Sequence, residues 1–328
     1  MVRFVAALSL LIGISAPAWA QATAQIQGTV KDASGLAVPG ATVTAKQTET
    51  GFTRAATSGA DGGYVLTNLA LGPYSLEISK EGFSRYVQTG LTLSVNDSPT
   101  IDIALKVGSV SEQVQVEANA GLVETQSTNV GQVIENQRIL ELPLNGRQVT
   151  DLIQLAGAAV PQGGSSSRSM QGGQAISVAG GQSFGVSYLL DGALHTNPFD
   201  NLNLPLPFPD ALQEFKVETS ALTAQNGMHS GAAVNAVTKS GTNNIHGDAF
   251  EFLRNGVFNA RNFFAAKRDS LKRNQFGGTI GAPIKKDKLF FFGGYQGTVT
   301  RSDPADSVSF VPNAAMLAGD FTAFASGR

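Results

Sequence analysis

The chain has 328 residues, with 23 Lys+Arg against 25 Asp+Glu for a net charge of -2, 37 Gly, three His and no Cys. Charged residues make up 15% of it, below the ~25% usual in globular chains, while the hydrophobic share of 42% is ordinary. The missing Cys excludes disulfide frameworks, thiolate zinc sites, iron–sulfur clusters and cysteine nucleophiles, and the charge balance supplies no basic face for nucleic acid.

Residues 1–20 read MVRFVAALSLLIGISAPAWA. Arg3 supplies a positive start, an apolar run follows to Ile14, and Ala18-Trp19-Ala20 is a small-residue cleavage site behind Pro17. The run is shorter than the ~20 residues that span a bilayer, and no run of ~18 apolar residues follows. Residues 1–20 are expected to be a signal peptide, with no Cys after the cleavage site to carry a lipid. Any membrane crossing is then expected to be by β-strands.

Residues 21–108 alternate apolar and polar side chains in short runs between turns. Ile26, Val43, Leu66, Leu76, Leu91 and Ile101 each sit in such a run. Ala60-Asp61-Gly62-Gly63 has the composition of a tight hairpin, and Asp61 there is a turn former, not a metal ligand. About seven strands at this spacing predict a β-sandwich. The strings IQGTVKDASGLAVPGATVTA and TSGADGGYVLTNLALGPYSLEISKEGF resemble the carboxypeptidase regulatory-like domain, a transthyretin-like sandwich. The resemblance implies an accessory module without catalytic residues.

In residues 109–118, Val114 and Val116 alternate with Gln113, Gln115 and Glu117, a short extended segment with one apolar face. An ordinary sandwich strand or linker reads the same way. Glu112, Gln113, Val114, Gln115, Val116, Glu117 and Ala118 resemble the TonB box of outer-membrane active transporters, with Gln113 where Thr is commoner. The resemblance implies coupling to the periplasmic domain of TonB by strand addition.

Residues 119–241 mix helix and strand. A strand is expected over 129–134, a short helix from Glu135, a turn at Leu142-Pro143-Leu144-Asn145-Gly146-Arg147, and helical spacing of Val149, Leu152, Ile153 and Leu155. A Gly/Ser-rich loop spans 161–173, and strands are expected over 176–179 and 188–190, the latter closing at Asp191-Gly192. Residues 197–209, with four Pro, read as an irregular exposed loop ahead of a strand at 211–218. The strings LPLNGRQVTDLIQL, YLLDG and DALQEFKVETSALTAQNGMHSGAAVNAVTKSGTNNIHGDAFEFLRN resemble the plug of TonB-dependent receptors, closest to the Oar-like group. Glu218-Thr219-Ser220 replaces the Lys-Gly commoner in that strand.

No enzyme constellation accompanies these motifs. The Gly-Gly pairs at 163, 172 and 180 lack G-x-x-x-x-G-K-[ST]. His195, His229 and His246 are too scattered for a metal site. Ser166 and Ser187 lack a G-x-S-x-G elbow. No cofactor is expected, and a peptidase reading has no zinc ligands to stand on.

Residues 242–328 hold two-faced strands. Phe250 and Phe252 alternate with Glu251, and Phe276, Gly278 and Ile280 with Gln275, Gly277 and Thr279. Residues 283–288 read as a polar turn. Leu289, Phe291, Gly293, Tyr295, Gly297 and Val299 then share one face, opposite a mostly polar row, as in a strand between lipid and a lumen. A half-buried soluble hairpin has the same period. The strings RNGVFNARNFF and RNQFGGTIGAPIKKDKLFFFGGYQG resemble opening barrel strands of the same receptors. Only about three strands fit here, against the ~22 of a plugged transporter barrel. The chain is accordingly expected to be an N-terminal fragment.

The expected fold is mainly β: a transthyretin-like β-sandwich, an α+β plug, then the first strands of an incomplete transmembrane β-barrel. The expected segments are 1–20, 21–108, 109–118, 119–241 and 242–328. The resemblance implies an outer-membrane receptor for an unidentified bulky extracellular substrate, seated in outer-membrane lipid and energised by TonB, with the sandwich in the periplasm. The alternative is a secreted surface-binding or adhesion protein built on the sandwich.

Overall fold

The computed structural model describes residues 23–108, 113–117, 129–162, 173–220, 222, 226, 230–261, 268–302 and 311–325. Residues 1–20, expected to be a signal peptide, and Glu112, Ala118, His229 and most of the Gly/Ser-rich loop lie outside these residues.

The first core belongs to β1 (Ala24–Asp32), β2 (Thr42–Gln47), β3 (Thr53–Thr57), β4 (Gly63–Leu69), β5 (Gly72–Ser79), β6 (Arg85–Leu93), β7 (Ile103–Leu105) and β8 (Gln113–Glu117). They form two sheets, ordered β4-β1-β7 and β3-β2-β5-β6-β8. Period-two alternation decides which side chains are buried: along β5, Tyr74, Leu76 and Ile78 turn inward, and Val43 and Ala45 of β2 meet them. Gly28 lies so close to the neighbouring segment that a Cβ there would sit 1.9 Å from the Ile101 carbonyl oxygen.

Three expectations change here. Ala60-Asp61-Gly62-Gly63 is a tight turn, with Asp61 Oδ1 accepting the Gly63 N–H at 2.9 Å, but it is not a hairpin. Strand β3 before it pairs with β2, and β4 after it pairs with β1, so the turn carries the chain between sheets. Turn chemistry sets a local reversal and leaves the choice of partner to packing. Strand β3, TRAAT, escaped detection because its side chains are mostly exposed. The third change concerns residues 113–117, which stand at the edge of the larger sheet, parallel to β6.

A second core gathers β9 (Val130–Glu135), a helix at Asn136–Glu141, 3-10 turns at Asn145–Arg147, Val149–Ala156 and Pro209–Ala211, and strands β10 (Ala159–Pro161), β11 (Ile176–Val178), β12 (Val186–Leu190), β13 (Ala193–Leu194), β14 (Leu212–Ser220) and β15 (Ala232–Thr238). The five-stranded sheet runs β13-β12-β15-β14-β9, with β12 and β15 parallel. Val149, Leu152 and Ile153 are buried as their spacing required, on a 3-10 turn and not an α-helix. They pack with Ile134, Ile139, Tyr188, Phe215, Val217 and Val234.

The segment 197–209, expected to be exposed, is so only in part: Pro198, Phe199, Asn201 and Pro205 are exposed. Asn197, Leu202, Asn203 and Pro209 are buried. Its own polar groups make this possible: Asn197 N–H donates to the Leu202 carbonyl, and Asn203 Oδ1 accepts the Gln174 N–H at 3.1 Å.

The chain leaves this core through Gly241, where a Cβ would lie 2.3 Å from the Phe291 carbonyl oxygen. Strands β16 (His246–Asn255), β17 (Lys272–Lys285) and β18 (Leu289–Arg301) follow in one sheet, ordered β16-β17-β18. Pro283 and Ile284 belong to β17, so the turn expected at 283–288 shrinks to 286–288. Phe276, Ile280, Leu289, Phe291, Tyr295 and Val299 are exposed, whereas Gln275 and Thr279 are buried. An apolar row facing outward and a polar row facing inward reverses the rule for a soluble sheet and fits a strand in lipid. The three strands do not close on themselves. Residues 250–277 and 296–328 form a compact unit of their own, in which Gly256 N–H donates to the Leu271 carbonyl and Asn259 Nδ2 to Asp269 Oδ2.

Candidate functional site

The box-like segment lies on β8, whose partners in β6 run in register from Arg85 opposite Gln113 to Thr89 opposite Glu117. Val114 is half-buried, and Gln115 and Val116 are exposed. None of these three side chains belongs to the buried sandwich core. Strand β8 ends the sheet order, so among the described residues its second edge carries no strand.

The sandwich meets the α+β region through one face of β14. Phe215 and Val217 point into the second core, so alternation turns Glu214, Lys216 and Glu218 to the opposite face. Glu214 Oε1 accepts the Val95 N–H at 2.6 Å, and Lys216 Nζ donates to the Val95 carbonyl at 2.9 Å. Lys216 Nζ also stands 3.7 Å from Asp97 and 3.6 Å from Glu218. Burial pushes the Glu214 carboxyl up to about 7, against the opposing pull of the Val95 N–H and a Ser94 hydrogen bond.

Two sequence motifs resolve into polar anchors. The LNGR turn brings Arg147 to Asp210 in a buried ion pair. The YLLDG turn places Asp191 so that its carboxylate accepts the N–H and hydroxyl of Thr238 at 2.8 and 2.9 Å, tying β12 to the end of β15. Neither pairing had a sequence signal, because 63 and 47 residues separate the partners.

Near this anchor lies a cleft of about 620 Å³, lined by sandwich residues such as Gln47 and Glu49 and by Asp191, Thr238, Lys239 and His246. Asn243 crosses beside it: its N–H donates to the Glu49 carbonyl, and its side chain exchanges hydrogen bonds with Asp287 in the β17–β18 turn. His195 Nε2 contacts the Pro205 carbonyl at 3.0 Å, and His246 Nδ1 the Asn244 carbonyl at 3.1 Å. Among the described residues no cluster of three or more His, Asp or Glu is arranged to hold a metal.

Comparisons with known proteins follow the same divisions. Residues 25–106 match the carboxypeptidase regulatory-like domain, and residues 237–327 match an outer membrane beta barrel domain. Over 314 residues, 90% of the chain, it is 27% identical to the TonB-dependent transporter Oar of Myxococcus xanthus. The chain is related to the Oar-like TonB-dependent receptors. It spans 28% of that relative's length. The barrel-domain match and the Oar relative place the chain in the outer membrane. No helix among the described residues is long and apolar enough to cross a membrane, in keeping with crossing by strands. Among solved structures, the siderophore receptor PirA from Acinetobacter baumannii shares 18% identity at a TM-score of 0.36, covering 51% of this chain and 24% of that one. A hydroxyquinol 1,2-dioxygenase from Pseudomonas putida covers 27% of this chain and 57% of its own, at 12% identity and a TM-score of 0.24. Scores that low carry no argument, and the assignment rests on the two domain matches and the Oar relative.

Proposed function

We propose that this chain belongs to a receptor that imports a bulky extracellular substrate across the outer membrane, drawing energy from TonB through residues 112–118. The order of parts carries the reading: a sandwich, an extended coupling segment, a plug-like α+β core and membrane strands follow one another along a chain similar to a TonB-dependent transporter for 90% of its length. In this arrangement residues 21–108 are an accessory periplasmic module, 109–118 the coupling segment, 119–241 the plug, and 242–328 the first barrel strands. The candidates for substrate contact are the plug loops 163–173 and 196–209, with most contacts falling to barrel loops, and no residue acts as a catalyst.

The physical logic is strand addition. Alternating Val114 and Val116 supply one apolar face, and an extended backbone supplies hydrogen bonds that pair with a sheet edge of the partner whatever the polar residues between. A peptide of residues 105–125 is expected to be retained by the periplasmic domain of TonB. Val116→Pro removes a backbone donor and is expected to abolish that retention. Binding that survives Val116→Pro overturns the assignment of the coupling segment.

A further inference from the structure

The turn after β6 offers one residue to the α+β core. Asp97 N–H donates to the Ser94 carbonyl at 3.1 Å and Ser94 N–H to Asp97 Oδ2 at 2.8 Å, so the turn closes on itself with Val95 at its tip. Glu214 and Lys216 of β14 hold the N–H and carbonyl of Val95, which is 1% exposed although it belongs to neither core. Charge is unbalanced at this junction. Among the described residues Lys216 is its single cation, and that ammonium is shared between Asp97 and Glu218. Glu214, 5% exposed, has no ion pair among the described residues, and Glu135 stands opposite it on β9. Strand β15 adds no charge, with Val237 opposite Glu214 and Asn235 opposite Lys216. An ionised carboxylate buried without a cation of its own is costly, and a proton removes that cost. Ser94, hydrogen-bonded to the same carboxyl, gives the acid proton an acceptor. With the junction open, Glu214 meets water and ionises as an ordinary glutamate.

We propose that the contact between the sandwich and β14 is a proton-linked latch, closed with a proton on Glu214 and released as pH rises toward neutrality. Closing takes up a proton, so the latch loosens wherever the open form has lost that proton and the closed form has not. The Glu214 carboxyl, raised by burial from 4.5 to about 7, sets this window. What opens is the junction and not either core, since Val95 lies outside both. An open latch uncovers the charged face of β14 and frees the sandwich from the α+β core. The latch stands whether or not residues 112–118 engage TonB.

The chain has no Cys, so Val95→Cys, which keeps the backbone groups held by β14, supplies a lone thiol covered by the closed latch. Maleimide labelling of the 328-residue chain in detergent is compared with that of the urea-unfolded chain at each pH, which cancels the ionisation of the thiol itself. Protection is expected to fall by up to about tenfold per pH unit from about 5 to about 7 and to level off above. Val95→Cys combined with Glu214→Gln should show no such slope. Ala45→Cys and Ala236→Cys, one in each core, should stay protected throughout. Protection at Val95→Cys that ignores pH overturns the latch, as does an equal slope with Glu214→Gln. A parallel loss at the two core thiols means that the whole chain unfolds, which overturns it as well. Should Val95→Cys react freely at every pH, hydrogen exchange over residues 94–97 of the parent chain, relative to unfolded rates, decides by the same slope.

Discussion

The carboxylate of Glu214 accepts the backbone N–H of Val95 at 2.6 Å, joining two residues 119 positions apart. Lys216, on the same face of β14, takes the carbonyl of the same residue, so both backbone polar groups of Val95 are held by charged side chains.

That grip is pH-dependent with a definite sign. The Glu214 carboxyl is raised from 4.5 to about 7, so across that window the folded state keeps a proton that the unfolded state has released. Stability contributed by this group is fully present below about pH 4.5 and is lost as pH rises through about 7, at up to roughly 1.4 kcal/mol per pH unit. Glu214→Gln keeps an acceptor for Val95 and cannot titrate. Urea denaturation across this range should show the slope in the parent and a flatter profile in the variant; equal slopes would assign the effect elsewhere.

Arg147 and Asp210 form a pair whose side chains are 9% and 7% exposed. Removing one partner strands the other without water. Arg147→Ala is expected to cost about 3–5 kcal/mol, whereas Arg147→Met combined with Asp210→Leu should cost much less. Chemical unfolding of the two variants side by side checks the ordering.

The close approach at Gly28 predicts a steric penalty. A Cβ 1.9 Å from the Ile101 carbonyl oxygen forces β1 and the 101 segment apart, and Gly28→Ala should lose about 1–3 kcal/mol of sandwich stability. Tyr64→Phe removes the hydroxyl that donates to that same carbonyl at 2.8 Å and should cost about 1 kcal/mol. Thermal unfolding distinguishes them: the alanine variant should be the less stable of the two.

The strand faces predict an asymmetry in membrane recovery. Ile280→Lys puts a charge on the lipid-facing row of β17, worth about 2–4 kcal/mol at the bilayer midplane. Thr300→Lys lies on the polar row of β18 and should be tolerated. Immunoblots of outer-membrane fractions are expected to show a loss of the first variant only.

How much was legible follows from the range of each interaction. Period-two alternation located β1, β2, β4, β5, β17 and β18, because burial of one face leaves its mark on neighbouring residues. It missed β3, whose exposed TRAAT has no buried face to record. The burial of Asn197, Leu202, Asn203 and Pro209 within the 197–209 loop was not legible, because Pro and Asn signal irregular backbone without saying which of its residues other segments cover. Residues 113–117 were visible as an extended strand, but their partner β6 was not.

The sequence by itself determined the β-sandwich core, the mixed core after it and the two-faced strands, since composition and local period dictate which side chains leave water or meet lipid. Only the tertiary structure decided that the 60–63 turn joins different sheets, that Arg147 meets Asp210, that Glu214 and Lys216 close on Val95, and that residues 113–117 lie against β6. Those are pairings between distant segments. Their energy comes from desolvation and backbone geometry after the chain has collapsed, and no local pattern records which distant group will be there.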